Sequence, residues 1–228
     1  MLGNDIVDIH FCEPPMHRNV RYLDRVCSPK EADAVRRSGD SVRALASIWA
    51  AKEAAFKFFS KQLTLQHFVP NQFEVQFENT SGTGTEQKVS ILYDGLKTEA
   101  AIFSAENWVH AITTSPAMEI DWQVREIDKC FFGSRKASNE SEAVRYLTRS
   151  LLDKLGLQDV SLRFNGRIPK LESENTDDFP KFVSLSHHGK YAAVALGWPA
   201  HLASPPSTSC RNFVESRPPE AVCFTCTA

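Results

Sequence analysis

No run of apolar residues in this chain approaches the roughly 18 that a membrane-spanning helix needs. Neither sign of charge prevails, because 26 Lys and Arg stand against 28 Asp and Glu for a formal net charge of -2. The first absence argues against a helical membrane protein. The second gives no whole-chain attraction to nucleic acid or to a membrane surface, so any charge-based recognition must be local. Cysteine is sparse and scattered, at Cys12, Cys27, Cys130, Cys210, Cys223 and Cys226. Only Cys223 and Cys226 share a C-x-x-C spacing, and no second pair completes a structural zinc site. The opening residues Met1-Leu2-Gly3-Asn4-Asp5 lack the basic and apolar regions of a secretory leader, so a cytoplasmic protein with reduced thiols is expected. A G-x-S-x-G nucleophile elbow is also missing.

What is present suits a soluble globular protein, with 42% hydrophobic and 24% charged residues. A length of 228 residues accommodates two modules of about 100 residues each. The stretch L-G-N-D-I-V-D-I-H alternates as a strand and puts Asp5 on one face with Val7 and Ile9. Ser28-Pro29-Lys30-Glu31 reads as a capped helix start with Pro at the first helical position and Glu31 three residues beyond the cap. A second helix is expected over about residues 41–61, and strands over 73–114 with a turn at 81–84. A polar linker over 133–142 precedes a helix, A-V-R-Y-L-T-R-S-L-L-D-K-L, that stops at Gly156. A strand over 160–164, a loop over 165–169 and the hairpin V-S-L-S-H-H-G-K-Y-A-A-V-A-L complete the second half. S-A-E-N-W-V-H-A-I faintly echoes S-H-H-G-K-Y-A-A-V, a hint of two related modules. From Pro199 onward, paired prolines and many Ser and Thr predict a poorly ordered tail.

On the second helix, advancing about 100° per residue from Val42 places Leu45, Ala46, Trp49, Glu53 and Phe56 on one apolar stripe. A carboxylate facing a core needs a partner, either a buried cationic side chain or a metal. Asp5 raises the same question from the first strand. Two carboxylates from separate elements suit Mg²⁺, which takes one or two carboxylates and completes its shell with water and phosphate oxygens. A turn-capping role for Asp5 and Asp8 is the alternative. Lys52 and Lys57 flank Glu53, and Lys57 at i+4 can support the glutamate or reach a phosphate. Ser186 and His187 lie where a strand enters a tight turn, so they can project from its end toward a cleft. A Ser186–His187 hydrolase dyad is disfavoured, because neighbouring residues on a strand point to opposite faces.

G-N-D-I-V-D-I at the N-terminus and W-A-A-K-E-A-A-F-K some forty residues later together resemble the two signature motifs of the 4′-phosphopantetheinyl transferase superfamily. With R-Y-L-D-R-V-C-S-P-K-E between them, residues 1–115 resemble the small holo-acyl-carrier-protein synthase type. R-Y-L-T-R-S-L-L-D-K-L-G, N-G-R-I-P-K-L and S-L-S-H-H-G-K-Y-A-A-V are similar to the N-terminal module of the larger two-module transferases, here in reversed order. The resemblance implies an α+β fold of two similar modules in pseudo-twofold arrangement, each a helix packed on an antiparallel sheet. The expected boundaries are a carboxylate-bearing module at 1–117, a coenzyme A-binding module at 118–198 and a tail at 199–228.

It implies transfer of 4′-phosphopantetheine from coenzyme A to a serine of an apo acyl or peptidyl carrier protein, with release of 3′,5′-ADP. The alternative is a noncatalytic module that binds coenzyme A or a carrier protein within a synthase complex. By resemblance Asp5 and Glu53 would bind Mg²⁺, and Lys52 and Lys57 would meet the pyrophosphate. Ser186, His187 and Arg167 would contact coenzyme A, with Glu53, Lys57 and His187 carrying catalysis. Val7 stands where the larger type often has a third acidic ligand, and Ile48 replaces an arginine common in the small type. Ala105 falls where a matching histidine belongs, and the second half has no K-E pair on its helix. Each half thus supplies what the other lacks, which points to a monomer with one site between its modules. Carrier proteins of fatty acid or polyketide synthesis are the expected partners, with neither nucleic acid nor membrane. The basic residues Arg18, Arg21, Arg25 and Lys30 form the candidate docking face for an acidic carrier.

Overall fold

The structure, a computed structural model, describes residues 1–12, 18–63, 65–77, 86–132, 135–199 and 212–214. Cys210, Cys223 and Cys226 lie outside the described residues. The first half opens with strand β1 (Leu2–Asp8) and a 3-10 turn (Ile9–Cys12), followed by helices α1 (Val20–Val26), α2 (Pro29–Arg37) and α3 (Ser41–Leu63). Strands β2 (Phe73–Phe77), β3 (Glu86–Tyr93), β4 (Leu96–Ser104) and β5 (Trp108–Thr114) follow. The second half runs β6 (Met118–Glu126), β7 (Phe131–Phe132), β8 (Arg135–Lys136), α4 (Glu140–Lys154), β9 (Ser161–Asn165), β10 (Ile168–Glu172), β11 (Phe182–His188), β12 (Tyr191–Pro199) and β13 (Asn212–Val214). The protein is thus α+β.

Two sheets form two layers. The first has the order β1-β5-β4-β3-β2, antiparallel throughout. The second has the order β11-β12-β6-β13, and the β9–β10 hairpin packs beside β11. Read outward from β6, the sequence β6, β12, β11, β10, β9 repeats the spatial order of β1, β5, β4, β3, β2. The faint sequence echo falls on matching hairpins, β4–β5 and β11–β12.

The Ser28 cap is present as expected: its hydroxyl accepts the Glu31 N–H, and the Glu31 carboxylate accepts the Ser28 N–H. Three expectations are corrected. Helix α4 begins at Glu140, within the expected linker, because the Asn139 side chain caps it by accepting the Glu142 N–H. The expected 165–169 loop shrinks to Gly166-Arg167, since Asn165 pairs with Ile168, and Gly166 at φ +60 supplies the left-handed turn. Of the expected tail, residues 212–214 form a strand parallel to β6, and residues 200–211 and 215–228, like the expected turn at 81–84, lie outside the described residues.

Helix α3 covers one face of the first sheet and buries Leu45, Ile48, Ala51, Ala55 and Phe59 against Val89, Ile91, Ile102 and Val109. Helix α4 covers the second sheet through Val144, Leu147, Leu151 and Leu152. The remaining faces of the two sheets pack on each other through Leu2, Ile6, Trp108 and Ile112 on one side and Trp122, Val124, Tyr191 and Ala193 on the other. Each such large side chain contributes about 1.5–3 kcal/mol when fully buried, so this seam joins the halves through a core and not a hinge.

β1 touches α3 with almost no intervening side chain. A Cβ on Gly3 would collide with the carbonyl of Ala54 and stand 2.7 Å from the Phe58 nitrogen. Only glycine permits this approach, and it brings Asp5, two residues on and on the same face, up to the helix.

Candidate active site

Asp5 is 4% exposed and lies at the seam between α3, β1 and β11. Lys57 donates to its Oδ1 at 2.8 Å and to the Asn4 carbonyl at 3.0 Å, and the same ammonium stands 3.6 Å from Glu53 Oε1. The indole of Trp49, one turn before Glu53, donates to Glu53 Oε2 at 3.1 Å. The i, i+4 spacing of Trp49, Glu53 and Lys57 on one helix therefore builds one wall of the cluster, and β1 builds the other.

Burial pushes the Asp5 carboxyl up from its ordinary range, against the opposing pull of Lys57 and the hydrogen bonds from Lys57 and Ser186. Glu53 is likewise raised, first by burial and then by the negative charge of Asp5. Burial alone would lower Lys57, but the two carboxylates outweigh it and hold its ammonium above the ordinary lysine value. Two crowded carboxylates thus share one cationic side chain. Among the described residues, no three His, Cys, Asp or Glu side chains gather closely enough to enclose a metal. A cation held by Asp5 and Glu53 would draw the rest of its shell from water and phosphate, and that oxygen donor set fits Mg²⁺.

β11 supplies the third wall. Among the described residues the outer edge of β1 has no strand partner, and its amides are met instead by side chains spaced two residues apart. Ser184 Oγ accepts the Asn4 N–H at 2.9 Å, Ser186 Oγ accepts the Ile6 N–H at 3.0 Å, and His188 Nδ1 accepts the Asp8 N–H at 3.1 Å. The Ser186 hydroxyl also donates to Asp5 Oδ1 at 2.7 Å, so it joins the second half directly to the carboxylate cluster. Lys61 spans the same edge, donating to the carbonyls of Leu2 at 2.6 Å and Val183 at 3.1 Å. Burial and the nearby Lys57 charge bring its pKa down to about 8.

Asp5, Glu53, Lys57 and Ser186 are therefore brought together, and the other expected site residues are not. Lys52 is fully buried, with its ammonium 2.6 Å from Glu31 Oε2 and 2.8 Å from the Val26 carbonyl. One residue is about 100° of helix rotation, so Lys52 faces α2 while Glu53 faces β1, and Lys52 cannot meet a pyrophosphate. His187 is exposed and points away from Ser186, as alternation on a strand requires. The same geometry removes a Ser186–His187 dyad. Arg167 sits at the exposed tip of the β9–β10 turn. Sequence reasoning missed Ser184, His188, Trp49 and Lys61. The S-x-S-x-H spacing was the available signal for the first two.

Among the described residues no helix is long and apolar enough to cross a membrane. None of the curated proteins matches this chain. A crystal structure of Thermotoga maritima holo-[acyl-carrier-protein] synthase is similar at 18% identity and a TM-score of 0.36, over 59% of this chain and 73% of that one. The family model of the 4′-phosphopantetheinyl transferase superfamily matches residues 1–113, the stretch that contains Asp5, Glu53 and Lys57. The first half of this chain, with the carboxylate cluster it carries, belongs to the 4′-phosphopantetheinyl transferase superfamily.

Proposed function

We propose that this protein transfers the 4′-phosphopantetheine group of coenzyme A to a serine of an apo carrier protein and releases 3′,5′-ADP. The observation that carries the reading is the Asp5–Lys57–Glu53 cluster at a seam where the second half adds Ser186. Two carboxylates and a lysine at one point are the donors needed to hold a metal–phosphate unit and to take a proton beside it. Mg²⁺ bound by Asp5 and Glu53 would supply positive charge to the pyrophosphate.

The protein's own groups account for the remaining work. Glu53, with its raised pKa, takes the proton of the carrier serine. The serine oxygen attacks the phosphorus that bears pantetheine, and the phosphoanhydride bond breaks with its electron pair on the departing 3′,5′-ADP. Lys57 neutralises that phosphate, and the Ser186 hydroxyl keeps Asp5 oriented. On this reading the exposed His187 meets the nucleotide at the end of β11, and the exposed Arg167 meets it from the neighbouring hairpin. Arg18, Arg21, Arg25 and Lys30 are all exposed, as is Val20 on the same short helix as Arg21 and Arg25, a surface suited to an acidic carrier. On this reading the two layers are related modules of a monomer, divided after residue 117, with one site between them.

The test is incubation with coenzyme A, Mg²⁺ and apo carrier proteins of fatty acid and polyketide synthesis, followed by intact mass. The expected result is a gain of one phosphopantetheine group, and Glu53→Gln should lower the rate by about 100-fold or more at saturating coenzyme A. Binding of coenzyme A with no mass gain on any carrier would instead favour a noncatalytic binding module.

A further inference from the structure

Asp8 is 1% exposed and has no ion-pair partner among the described residues. It lies three residues from Asp5, so the two carboxylates leave β1 on opposite faces and cannot share one ion. Asp5 turns to Lys57, whereas Asp8 turns to the tip of the β11–β12 hairpin. There Asp8 Oδ2 accepts the Lys190 N–H at 3.1 Å, Oδ1 accepts the His10 N–H at 3.1 Å, and the Asp8 amide donates to His188 Nδ1 at 3.1 Å. A charged acceptor makes the two amide bonds stronger than neutral ones would be.

The turn is also pressed onto this carboxylate. Gly189 has φ +56, and a Cβ there would stand 2.5 Å from Asp8 Oδ2 and 2.6 Å from the Phe11 ring. The Phe11 ring meets His188 edge-on at 5.6 Å between centroids. A buried carboxylate whose oxygens are both taken by backbone amides, one of them 182 residues away, serves to fix backbone position. The strand that ends in this turn carries Ser186 and His187.

We propose that Asp8 is a positioning residue: it pins the β11–β12 turn to the end of β1 and thereby sets Ser186 and His187 relative to the Asp5–Glu53 cluster. The role in coenzyme A recognition rests on the function proposed above, whereas the pin itself does not.

Asp8→Ala, Asp8→Asn and Gly189→Ala test it together in the full chain. Amide hydrogen exchange of peptides covering 187–191, read without substrate, should speed up by about tenfold in Asp8→Ala and Gly189→Ala, and less in Asp8→Asn, which keeps one acceptor oxygen. The KM for coenzyme A should rise about tenfold with kcat within about threefold of wild type, because the loss falls on binding and not on chemistry. Mn²⁺ affinity, followed by calorimetry, should stay within about twofold of wild type. Unchanged exchange at 187–191 would overturn the pin, and a large loss of Mn²⁺ affinity would make Asp8 a metal ligand instead. If Asp8→Ala does not fold, Gly189→Ala reaches the same contact from the other side. A wild-type protein that transfers nothing overturns the transferase reading and the coenzyme A role, while the exchange rates still decide the pin.

Discussion

The two helix-on-sheet layers share one spatial order of strands and differ in what the strand beneath each helix carries. In the first, β1 presents Asp5 opposite Ala111, and α3 answers with Lys57 and Glu53. In the second, β6 presents Gln123 opposite Val194, fully buried, with neither amide atom in a hydrogen bond among the described residues. The buried Asp121, two residues before Gln123 on the same face of β6, accepts the Trp198 indole N–H at 2.8 Å, whereas the first scaffold gathers two carboxylates around one lysine. The second layer contributes to the cluster through its edge, where β11 meets the amides of β1. The shared order of elements says nothing about which layer does chemistry; the side chains decide it.

The largest effect should come from the ion pairs that support each layer. Lys52–Glu31 is buried at 0% and 2% exposure and holds α2, α3 and, through the Val75 N–H, β2. Lys52→Met leaves Glu31 charged in the core and should lower urea stability by about 3–5 kcal/mol, and pairing it with Glu31→Gln should restore a large part. Arg149–Asp153 on α4 is exposed at 38% and 50%, and Arg149 keeps its bonds to the Leu157 and Val160 carbonyls when Asp153 changes, so Asp153→Asn in the second layer should cost at most about 1 kcal/mol. Equal losses from both would erase the contrast.

His110 tests the seam between the layers. Burial, and then the Lys57 charge, bring its pKa down to about 3, and Asn4 hydrogen-bonds its Nε2 at 3.0 Å. The unfolded chain takes up a proton near the ordinary histidine value of about 6.5 and the folded chain does not. This contribution is therefore intact above that range and is lost as the pH falls toward 3. Between about pH 7 and pH 4 it should amount to something on the order of 3 kcal/mol, visible as a flatter pH–stability curve for His110→Gln in urea unfolding.

Lys57→Met should lower transfer by about 10- to 100-fold while leaving the urea midpoint far closer to wild type than Lys52→Met does. Loss of fold in place of loss of rate would mean that the two lysines are alike. The smallest effect is expected at the outer surface. Arg21→Glu with Arg25→Glu should raise the carrier KM several-fold at low salt, and the difference should shrink at high salt. No change would move carrier docking elsewhere.

Much of this was legible from local pattern. The Ser28–Glu31 box and the alternation that put Asp5 on one face of β1 are one-dimensional signals, and the structure follows them. The expected α3 stripe is followed only at Leu45 and Ala46, because the helix buries Ile48, Lys52, Ala55 and Phe59 and leaves Trp49, Glu53 and Phe56 half-buried at the edge of that face. Lys52 was misread because it sits next to Glu53 in sequence, and one step of helix rotation sends it to α2. His188, which takes part in the seam, was hidden behind His187 because a one-residue change of strand phase exchanges faces. Strand β6 alternates Met118, Ile120, Trp122 and Val124, but the burial of Asp121 and Gln123 between them depends on the layer that covers them. Residues 212–214 gain their strand from β6 and have no local sign of it.

Acceptors repeat along β11 every second residue, and the amides of β1 repeat with the same period. Ser184 and Ser186 alone could therefore serve β1 equally well after a slide of one repeat, roughly 6.8 Å. His188 is the odd member, since an imidazole reaches farther than a serine hydroxyl, and beside it Gly189, bare of a side chain, lets the turn close on Asp8. The seam is a keyed track: two identical teeth bear the load, and one different tooth allows a single alignment. The two halves can lock in only one frame, the one that carries Ser186 to Asp5.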